Sequence, residues 1–390
     1  MSRSALVLVA VLLAAGCQPR YAVDVPAPPP RAEVRWQIVQ VLGDDPGQER
    51  SALLGQPAGV RTDAQGRIYV GDRAAGAVKV YDASGQFLRQ IGRRGRDPGE
   101  LVDVTCFEVL ANGEVVVADG QNQRLTRFDA RGEVASTHAM DALAMLWPRD
   151  LRQLVSGDLV YAYKMPAVDR DGTRRPDATR LLHVFSADLD TKLAAFARVA
   201  RLAPSGRMGD LLLQQAPGRL WIDGDGSILF APGPYSGAIH RYRAVDGAWR
   251  HAGQLQGYIR DARPFVEATE EGLAVEGPTF DINSRRQRQT GFRRNESRGM
   301  FRLAGGELVH FTLVAEDGGR TFGVELYDAE DRLRAFGPLE RVEMRPGEPT
   351  ALPLHVEWKD ADDRFYLRRH DDTGRGVIEI ARLVEGAASP

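Results

Sequence analysis

The sequence predicts an all-β fold, a six-bladed β-propeller of four-stranded antiparallel blades, because one strand-and-turn unit recurs along the chain. Its clearest copy is GRIYVGDRAAGAVKVYDASG at residues 66–85, where two short apolar runs alternate with turn residues. The same skeleton returns 47 residues later as GEVVVADGQNQRLTRFDARG, at residues 113–132. A repeat of this length, made only of strands and turns, is typical of small sheets arranged around an axis.

Later copies of the unit are looser but keep the same order of strand, turn and strand. We place the six blades at about residues 55–92, 102–140, 145–200, 215–256, 300–340 and 352–385, with an insertion at residues 257–299. The last unit has no obvious outer strand of its own. We expect the run WQIVQVL at residues 36–42 to supply it. Pairing of the N- and C-terminal strands would then close the ring and remove its exposed edges.

Length and composition fit a single large domain. The chain has 390 residues, 43% of them hydrophobic, which suits one propeller over residues 34–387. Its net charge of −2 gives no general attraction to nucleic acid or to an anionic membrane surface. We predict a monomeric propeller with no nucleic-acid partner.

The N-terminus has the pattern of an export signal. Arg3 precedes an apolar run at residues 5–13, which is too short to span a bilayer, since a spanning helix needs about 20 residues. The sequence AAGC follows at residues 14–17, and the whole segment resembles a bacterial lipoprotein signal. The resemblance implies removal of residues 1–16 and attachment of acyl chains, such as palmitate, to Cys17. An ordinary secretory signal with an incidental cysteine is the alternative.

Residues 17–33 are predicted to be the lipidated cysteine and a tether. Three consecutive prolines at residues 28–30 favour an extended polyproline conformation, and the segment would reach about 50 Å at ~3.1 Å per residue. The membrane is then a partner through the lipid on Cys17. The expected location is the cell envelope, facing the periplasm or the cell surface. Gln18 favours the outer membrane, because lipoproteins kept at the inner membrane commonly carry Asp at that position.

One connection carries a family resemblance. The loop RRGRDPGEL at residues 93–101, like the whole of residues 57–101, resembles the unit of NHL-repeat propellers. Blade two keeps the pattern in its turn ADGQNQR, where we expect Asn122 and Arg124 to fix the turn by hydrogen bonds. Blade one carries Ala75 and Ala77 at those positions, so main-chain bonds should hold its turn.

Aspartates recur where strands end. A catalytic or metal-binding residue is needed once, whereas a turn is needed in every blade, so we interpret the recurrent aspartates as turn residues that accept main-chain N–H bonds. They are Asp72, Asp82, Asp119, Asp129 and Asp328. Cys106 is the only cysteine besides Cys17 and lies in the alternating run VTCFEV, which predicts a buried, unreactive thiol.

The seven histidines show no local metal-binding spacing. His183, His240 and His310 lie at comparable positions of successive units, so a Zn²⁺ or Ca²⁺ site where they converge on the channel stays an open alternative. Some related six-bladed propellers are lactonase-like hydrolases or zinc-dependent lyases, but no residue pattern here transfers their sites. We predict no catalytic residue and no cofactor, and keep a channel-metal hydrolase or lyase as the alternative function.

Arginines cluster in the predicted insertion. Guanidinium groups bind phosphate and carboxylate through paired hydrogen bonds. The residues predicted to bind a phosphate, a lipid headgroup or an acidic glycan are Arg285, Arg286, Arg288, Arg293 and Arg294. The alternative is a solvated loop whose arginines offset nearby acids such as Glu270 and Glu271. The function favoured by the sequence is a non-enzymatic binding or scaffolding module for an envelope protein, a saccharide or a peptide.

Overall fold

The computed structural model describes residues 29–43, 52–140, 148–163, 167–168, 174–175, 179–202, 218–258, 265–267, 280–284, 287–293, 295–316, 319–343, 354–370 and 375–386. Cys17 and most of the expected tether lie outside these residues. The described chain forms six four-stranded antiparallel sheets around one axis, which confirms the predicted all-β, six-bladed propeller.

The first half of the chain forms three blades. It enters the fold as β1 (Val34–Leu42). Blade one is then β2 (Pro57–Thr62), β3 (Ile68–Asp72), β4 (Ala77–Tyr81) and β5 (Phe87–Ile91). A short parallel pair, β6 (Arg93–Arg94) and β7 (Glu100–Leu101), lies in the next connection. Blade two is β8 (Val104–Val109), β9 (Val115–Asp119), β10 (Arg124–Phe128) and β11 (Val134–Ala139). Blade three contains β12 (Asp150–Gln153), β13 (Leu159–Ala162), a small hairpin of β14 (Ala167–Val168) and β15 (Arg174–Arg175), then β16 (Arg180–Phe185) and β17 (Lys192–Arg198).

The second half begins with a single helical turn, α1 (Val199–Leu202). Blade four is β18 (Gly218–Ile222), β19 (Ile228–Pro232), β20 (Ala238–Val245) and β21 (Ala248–Gln256). A separate three-stranded sheet follows, made of β22 (Phe265–Glu267), β23 (Phe280–Ser284) and β24 (Gln287–Arg293), with β24 in the middle. Blade five is β25 (Asn295–Arg302), β26 (Leu308–Glu316), β27 (Gly319–Tyr327) and β28 (Leu333–Glu343). Blade six is β29 (His355–Lys359), β30 (Arg364–His370) and β31 (Gly376–Glu385), with β1 as its outer strand.

The two ends of the chain close the ring, as predicted. β1 pairs antiparallel with β31 over eight residue pairs, from Val34 opposite Glu385 to Leu42 opposite Ile378. The Trp36 ring packs 5.4 Å from the ring of Phe311 and 5.5 Å from that of Phe365. β1 therefore joins the N-terminal chain to the aromatic core between blades five and six.

Just before β1, the chain also pairs with the outer strand of blade five. The main-chain N–H of Ala32 donates to the carbonyl of Phe336 at 2.7 Å, and the N–H of Phe336 donates to the carbonyl of Pro30 at 3.2 Å. A Cβ atom on Gly337 would lie only 2.0 Å from the carbonyl oxygen of Ala32, so this approach requires glycine. Two blades thus hold the N-terminal segment.

The recurrent aspartates do hold turns. One carboxylate oxygen of Asp82 accepts the main-chain N–H groups of Ser84 and Gln86, both at 2.9 Å, and Asp129 and Asp328 make equivalent bonds. Asp72 and Asp119 accept N–H groups both from the turn that follows them and from the connection that leads into their own blade. The turn of blade one is thus held by the Asp72 side chain as well, and not by main-chain bonds alone as expected. These carboxylates therefore replace main-chain acceptors in turns and connections, as the repetition predicts.

The polar turn of blade two fixes the incoming connection. The Asn122 side-chain amide donates to the carbonyl of Gly95 at 3.0 Å and to the Asp119 carboxylate at 2.8 Å. The Arg124 guanidinium donates to the carbonyls of Arg96 at 2.9 Å and of Glu100 at 2.6 Å. Asn122 therefore fixes the turn through Asp119, as expected, whereas Arg124 holds the incoming connection and not the turn.

The hydrophobic core lies between neighbouring blades. Between blades one and two it includes Tyr69, Phe107 and Phe128, all almost fully buried. Cys106 is buried as well, and burial raises the pKa of its thiol, in agreement with an unreactive side chain. In the part of the chain that the structure describes, no helix has both the length and the apolar character needed to cross a membrane.

Candidate binding site at the channel mouth

All six innermost strands begin at the same end of the propeller, because each outer strand returns the chain to the end where the next blade starts. β2, β8, β12, β18, β25 and β29 lie side by side around the axis. We call the opening at this end the channel mouth; its lining includes Ala58, Gly59, Thr105, Arg149 and Arg219. The connection that contains β22, β23 and β24 leaves and returns at this end. The longest addition to the repeat therefore adjoins the channel mouth.

Six side chains of the innermost strands occupy the same position of the repeat. Each lies five residues before a turn residue that has positive φ. These turn residues are, from blade one to blade six, Gly66, Gly113, Gly157, Gly226, Gly306 and Asp363. The six are Arg61, Glu108, Arg152, Trp221, Phe301 and Trp358. Trp221 and Phe301 contact each other and belong to the core between blades. We call the other four, which contact one another between blades, the axial plug.

Contacts between blades one, two, three and six join the four side chains of the plug. Arg61 Nε lies 2.7 Å from Glu108 Oε2, and the side chains of both residues are buried. The guanidinium carbon of Arg61 lies 4.7 Å from the Trp358 ring, and that of Arg152, two blades further on, lies 5.2 Å from the same ring. Cations stacked on an indole face in this way are stabilised by the ring quadrupole. The plug is thus a packed layer of the channel.

Asp150 completes the charge balance of the plug. Its carboxylate lies 2.6 Å from Arg152 and 3.5 Å from Arg61, and it also accepts the main-chain N–H of Leu220 from blade four at 3.0 Å. Burial raises the pKa of Glu108 to about 7, although Arg61 opposes the shift. With Arg61, Glu108, Asp150 and Arg152 all ionised, two guanidiniums face two carboxylates and this layer has no net charge.

Above the plug lies a small polar cavity of about 50 Å³. A buried water molecule needs roughly 10–15 Å³ of such space, so the cavity has room for about three or four waters or one small polar group. Glu357 also lines it, paired with Arg368 at 2.8 Å. Burial favours the neutral acid, but Arg368, followed by His355 and Arg219, outweighs burial and lowers the pKa of Glu357 to about 2. Glu357 is therefore a carboxylate that already has its counter-ion.

Arg149 and Arg219 differ from the other arginines of the site because neither has a carboxylate within ion-pair distance among the described residues, although the charge of Arg219 acts on Asp150 and Glu357 from further away. Neither guanidinium makes a hydrogen bond or ion pair with any residue that the structure describes. Arg219 is half-buried, and Arg149 lies exposed at the rim. Desolvation, followed by the charge of Arg73 and then that of Arg219, lowers the pKa of Arg149. Two unpaired cations beside one cavity give the channel mouth a local excess of positive charge.

Irregularities in the innermost strands also face the mouth. β2, β8 and β29 each contain a register shift, and the shifts lie at Gly59, Thr105 and Glu357, which all line the cavity. A β-bulge leaves its extra residue outside the ladder of paired strands and turns that residue toward a new direction. The mouth therefore combines unpaired cations with main chain that is released from sheet pairing.

Comparison with known proteins supports the architecture. Residues 49–173 match the family model DUF5128, described as a 6-bladed beta-propeller. A DUF4221 family member from Bacteroides vulgatus has a TM-score of 0.55 at 9% identity, covering 91% of this chain and 100% of its own. A Bacteroides fragilis protein named as exported has a TM-score of 0.54 at 11% identity, covering 90% and 95%. These likenesses show the fold alone.

A more distant likeness adds nothing to this conclusion. Virginiamycin B lyase from Staphylococcus aureus gives a TM-score of 0.44 at 11% identity, covering 90% of this chain and 100% of its own. A search of curated proteins found no match.

The arginine cluster predicted from the sequence is only partly described. Arg288 and Arg293 lie on β24, opposite Asn283 of β23 and Phe265 of β22, respectively. Arg285, Arg286 and Arg294 lie outside the described residues. Arg298, at the end of the same run, is ion-paired with Glu296 at 2.5 Å. The cluster as an anion site remains a prediction.

The three histidines considered for a metal site each contact different neighbours. His183 stacks on Tyr163 with ring centres 3.9 Å apart, and burial lowers its pKa to about 3. His240 lies with its Nδ1 3.3 Å from Nε2 of His251. His310 belongs to a network in blade five. Among the residues that the structure describes, no group of three or more His, Cys, Asp or Glu side chains is arranged to hold a metal ion.

The network in blade five is the second polar cluster of the propeller. His310 Nδ1 lies 2.8 Å from Glu325 Oε2, and Ser297 Oγ lies 2.8 Å from His310 Nε2, which is the order of groups in a serine–histidine–acid relay. His310 is 0% and Glu325 is 2% exposed. The neighbouring cavity of about 250 Å³ is lined by Glu325 and not by Ser297, so the acid, not the nucleophile, faces the open space. We interpret the network as a structural contact between blades four and five.

Sequence reasoning did not find Arg149, Arg219 or the axial plug. A signal for the plug was present, since Arg61 and Glu108 are 47 residues apart and occupy the same position of the repeat. When the same repeat position carries opposite charges in adjacent blades and faces the axis, an ion pair between those blades is predicted. No comparable signal marks Arg149 and Arg219, because each resembles any other arginine next to a strand.

Proposed function

We propose that this protein is an exported, lipid-anchored β-propeller that binds an anionic ligand at its channel mouth and serves as a binding or scaffolding module in the cell envelope. The observation that carries the proposal is a pair of guanidiniums, those of Arg149 and Arg219, which make no ion pair with a described residue and lie beside a small cavity on the axis. Guanidiniums whose N–H groups are not bonded to a carboxylate are suited to carboxylate or phosphate ligands, which accept two parallel N–H bonds. No specific observation favours the metal-dependent alternative.

The lipid anchor is part of the proposal and rests on the AAGC segment that ends at Cys17. In cells grown with labelled palmitate, we expect the wild-type chain to carry label and to sediment with membranes. Cys17→Ala should lose both properties, because no other residue would accept the lipid. Cys106→Ala is the matched control, since it removes the only other cysteine and should keep both. Label retained by Cys17→Ala would exclude the anchor.

Ligand binding is tested with small anions. Titration calorimetry with citrate and with inorganic phosphate should show binding to the wild-type protein and an affinity about tenfold or more lower for the double variant Arg149→Gln/Arg219→Gln. The estimate follows from hydrogen bonds to charged groups, which contribute about 1.5–3 kcal/mol each. Without ligand, the single variant Arg149→Gln should be as stable as the wild type or more stable, because the charges of Arg73 and Arg219 disfavour a cation at position 149.

Arg131→Gln is the control for general charge loss. Arg131 lies in the turn before β11, at the end of the propeller opposite the mouth, and its side chain is 84% exposed. We expect it to bind both anions like the wild type. Equal affinities for the double variant and Arg131→Gln would refute the channel mouth as the anion site.

A further inference from the structure

The size of the cavity limits what the channel mouth can hold. Its volume of about 50 Å³ corresponds to about three or four waters, so a sugar ring does not fit and a single carboxylate does. The axial plug closes the cavity from below, where Trp358 covers the guanidiniums of Arg61 and Arg152. A group that reaches Arg219 must therefore enter from the mouth, with the remainder of its molecule outside.

The arginines at the channel mouth favour an anionic group as the ligand that enters the cavity. The cavity lining contains four arginines, Arg61, Arg149, Arg152 and Arg219, and two carboxylates, Asp150 and Glu357. Asp150 pairs with Arg61 and Arg152, and Glu357 pairs with Arg368 from outside the lining. Arg149 and Arg219 make no ion pair with a described residue, so their N–H groups are the ones open to a ligand, even though the charge of Arg219 also acts on Asp150 and Glu357. Two guanidiniums from separate blades, one half-buried and one at the rim, can each donate to one oxygen of a carboxylate.

Main chain near the mouth favours a peptide as the carrier of this carboxylate. The register shifts of β2 and β8 take Gly59 and Thr105 out of regular sheet pairing beside the cavity. Amide groups of an extended peptide are suitable partners for such main-chain groups, as in other proteins that bind peptides by their terminal carboxylate. A carboxylate at the end of a chain enters a narrow opening, whereas the carboxylate of an acidic polysaccharide is attached to a ring.

We propose that the channel mouth binds the C-terminal carboxylate of a peptide, with Arg219 and Arg149 as its direct partners. This inference rests on the proposed function, because it names the class of the anionic ligand. The peptide chain extends away from the axis over the end of the propeller that also carries the connection with β22, β23 and β24. Recognition of this kind depends on the free chain end and tolerates many sequences.

The test compares two peptide pools that differ in one group. An N-acetylated random hexapeptide pool is prepared once with free C-terminal carboxylates and once with C-terminal amides, and each is passed over the immobilised full-length protein. We expect the free-acid pool to be retained about tenfold or more above the amide pool, with retention measured by mass spectrometry. For the double variant Arg149→Gln/Arg219→Gln, retention of the free-acid pool should fall to that of the amide pool. For Arg131→Gln, the preference for the free-acid pool should be unchanged.

Three results would overturn the inference. They are equal retention of the two pools, a preference for the acid pool that persists in the double variant, and binding of trigalacturonate without any preference for the acid pool. The titrations with citrate and phosphate distinguish failure of the peptide inference from failure of the proposed anion-binding function. If citrate and phosphate still bind the wild type and not the double variant, the mouth is an anion site whose ligand is not a peptide terminus.

Discussion

Replacing Glu325 with alanine is expected to lower the free energy of unfolding by about 3–5 kcal/mol, the largest effect of any single change considered. The carboxylate of Glu325 accepts hydrogen bonds from the hydroxyls of Tyr235 and Tyr327 at 2.8 Å each, from His310 at 2.8 Å and from the main-chain N–H of Tyr258 at 2.7 Å. Loss of the acceptor leaves buried donors without partners, and each unsatisfied donor costs about 1–3 kcal/mol. Urea unfolding followed by tryptophan fluorescence measures the loss.

Two further variants test whether the loss of stability comes from the buried acceptor. Glu325→Gln keeps one acceptor oxygen but turns an amide NH₂ toward the remaining donors, so we expect about half of the alanine effect. Glu330→Ala removes a glutamate whose side chain is 67% exposed, and should change stability by less than about 0.5 kcal/mol. If Glu325→Ala lost less than about 1 kcal/mol, the network would not be the contact that joins blades four and five.

Replacing Trp36 with alanine is expected to cost about 2–4 kcal/mol, because Trp36 joins the ring-closing strand β1 to the aromatic core. Its ring contacts Phe311 of blade five and Phe365 of blade six, while part of its surface remains open to solvent. Removal of a fully buried aromatic side chain typically costs 3–5 kcal/mol, so a partly exposed one costs somewhat less. The same urea titration measures it.

The variant Trp36→Phe separates the contribution of the ring contacts from that of the indole N–H. The indole Nε1 of Trp36 is buried and has no hydrogen-bond partner among the described residues. Phenylalanine keeps most of the ring contacts and removes this donor, so its effect should stay within about 1 kcal/mol of the wild type. A loss as large as that of alanine would show that the indole N–H has a partner and that the ring contacts contribute little.

The blades were predictable from the sequence because their determinants are local and repeated. Gly66 and Gly113 occupy turns that need positive φ, and Asp82 and Asp129 accept the same main-chain N–H groups in successive blades. Each such position is set by a few neighbouring residues, so it appears as a pattern in the sequence. Ring closure was also predictable, because the N-terminal strand had no partner in the sequence and the last blade lacked an outer strand.

The channel mouth was not predictable, because its residues meet only after six blades have closed. Arg149 and Arg219 lie 70 residues apart, and which arginine stays unpaired depends on where Arg61, Arg152 and Arg368 find carboxylates. The prediction instead chose the arginines that are dense in the sequence, at residues 285–294. Density in the sequence indicates charge, whereas the distance from an arginine to the nearest carboxylate depends on the folded structure.

The attachment of the N-terminal segment to two blades also determines how the protein would carry mechanical load. A chain held to a membrane through Cys17 would transmit any pull first to the bonds between Phe336 and residues 30–32, and then to the eight pairs between β1 and β31. A pull along β1 loads those pairs together in shear instead of opening them one at a time. The strand that completes the ring would thus also be the strand that resists extraction, so tension strong enough to detach it would open the propeller.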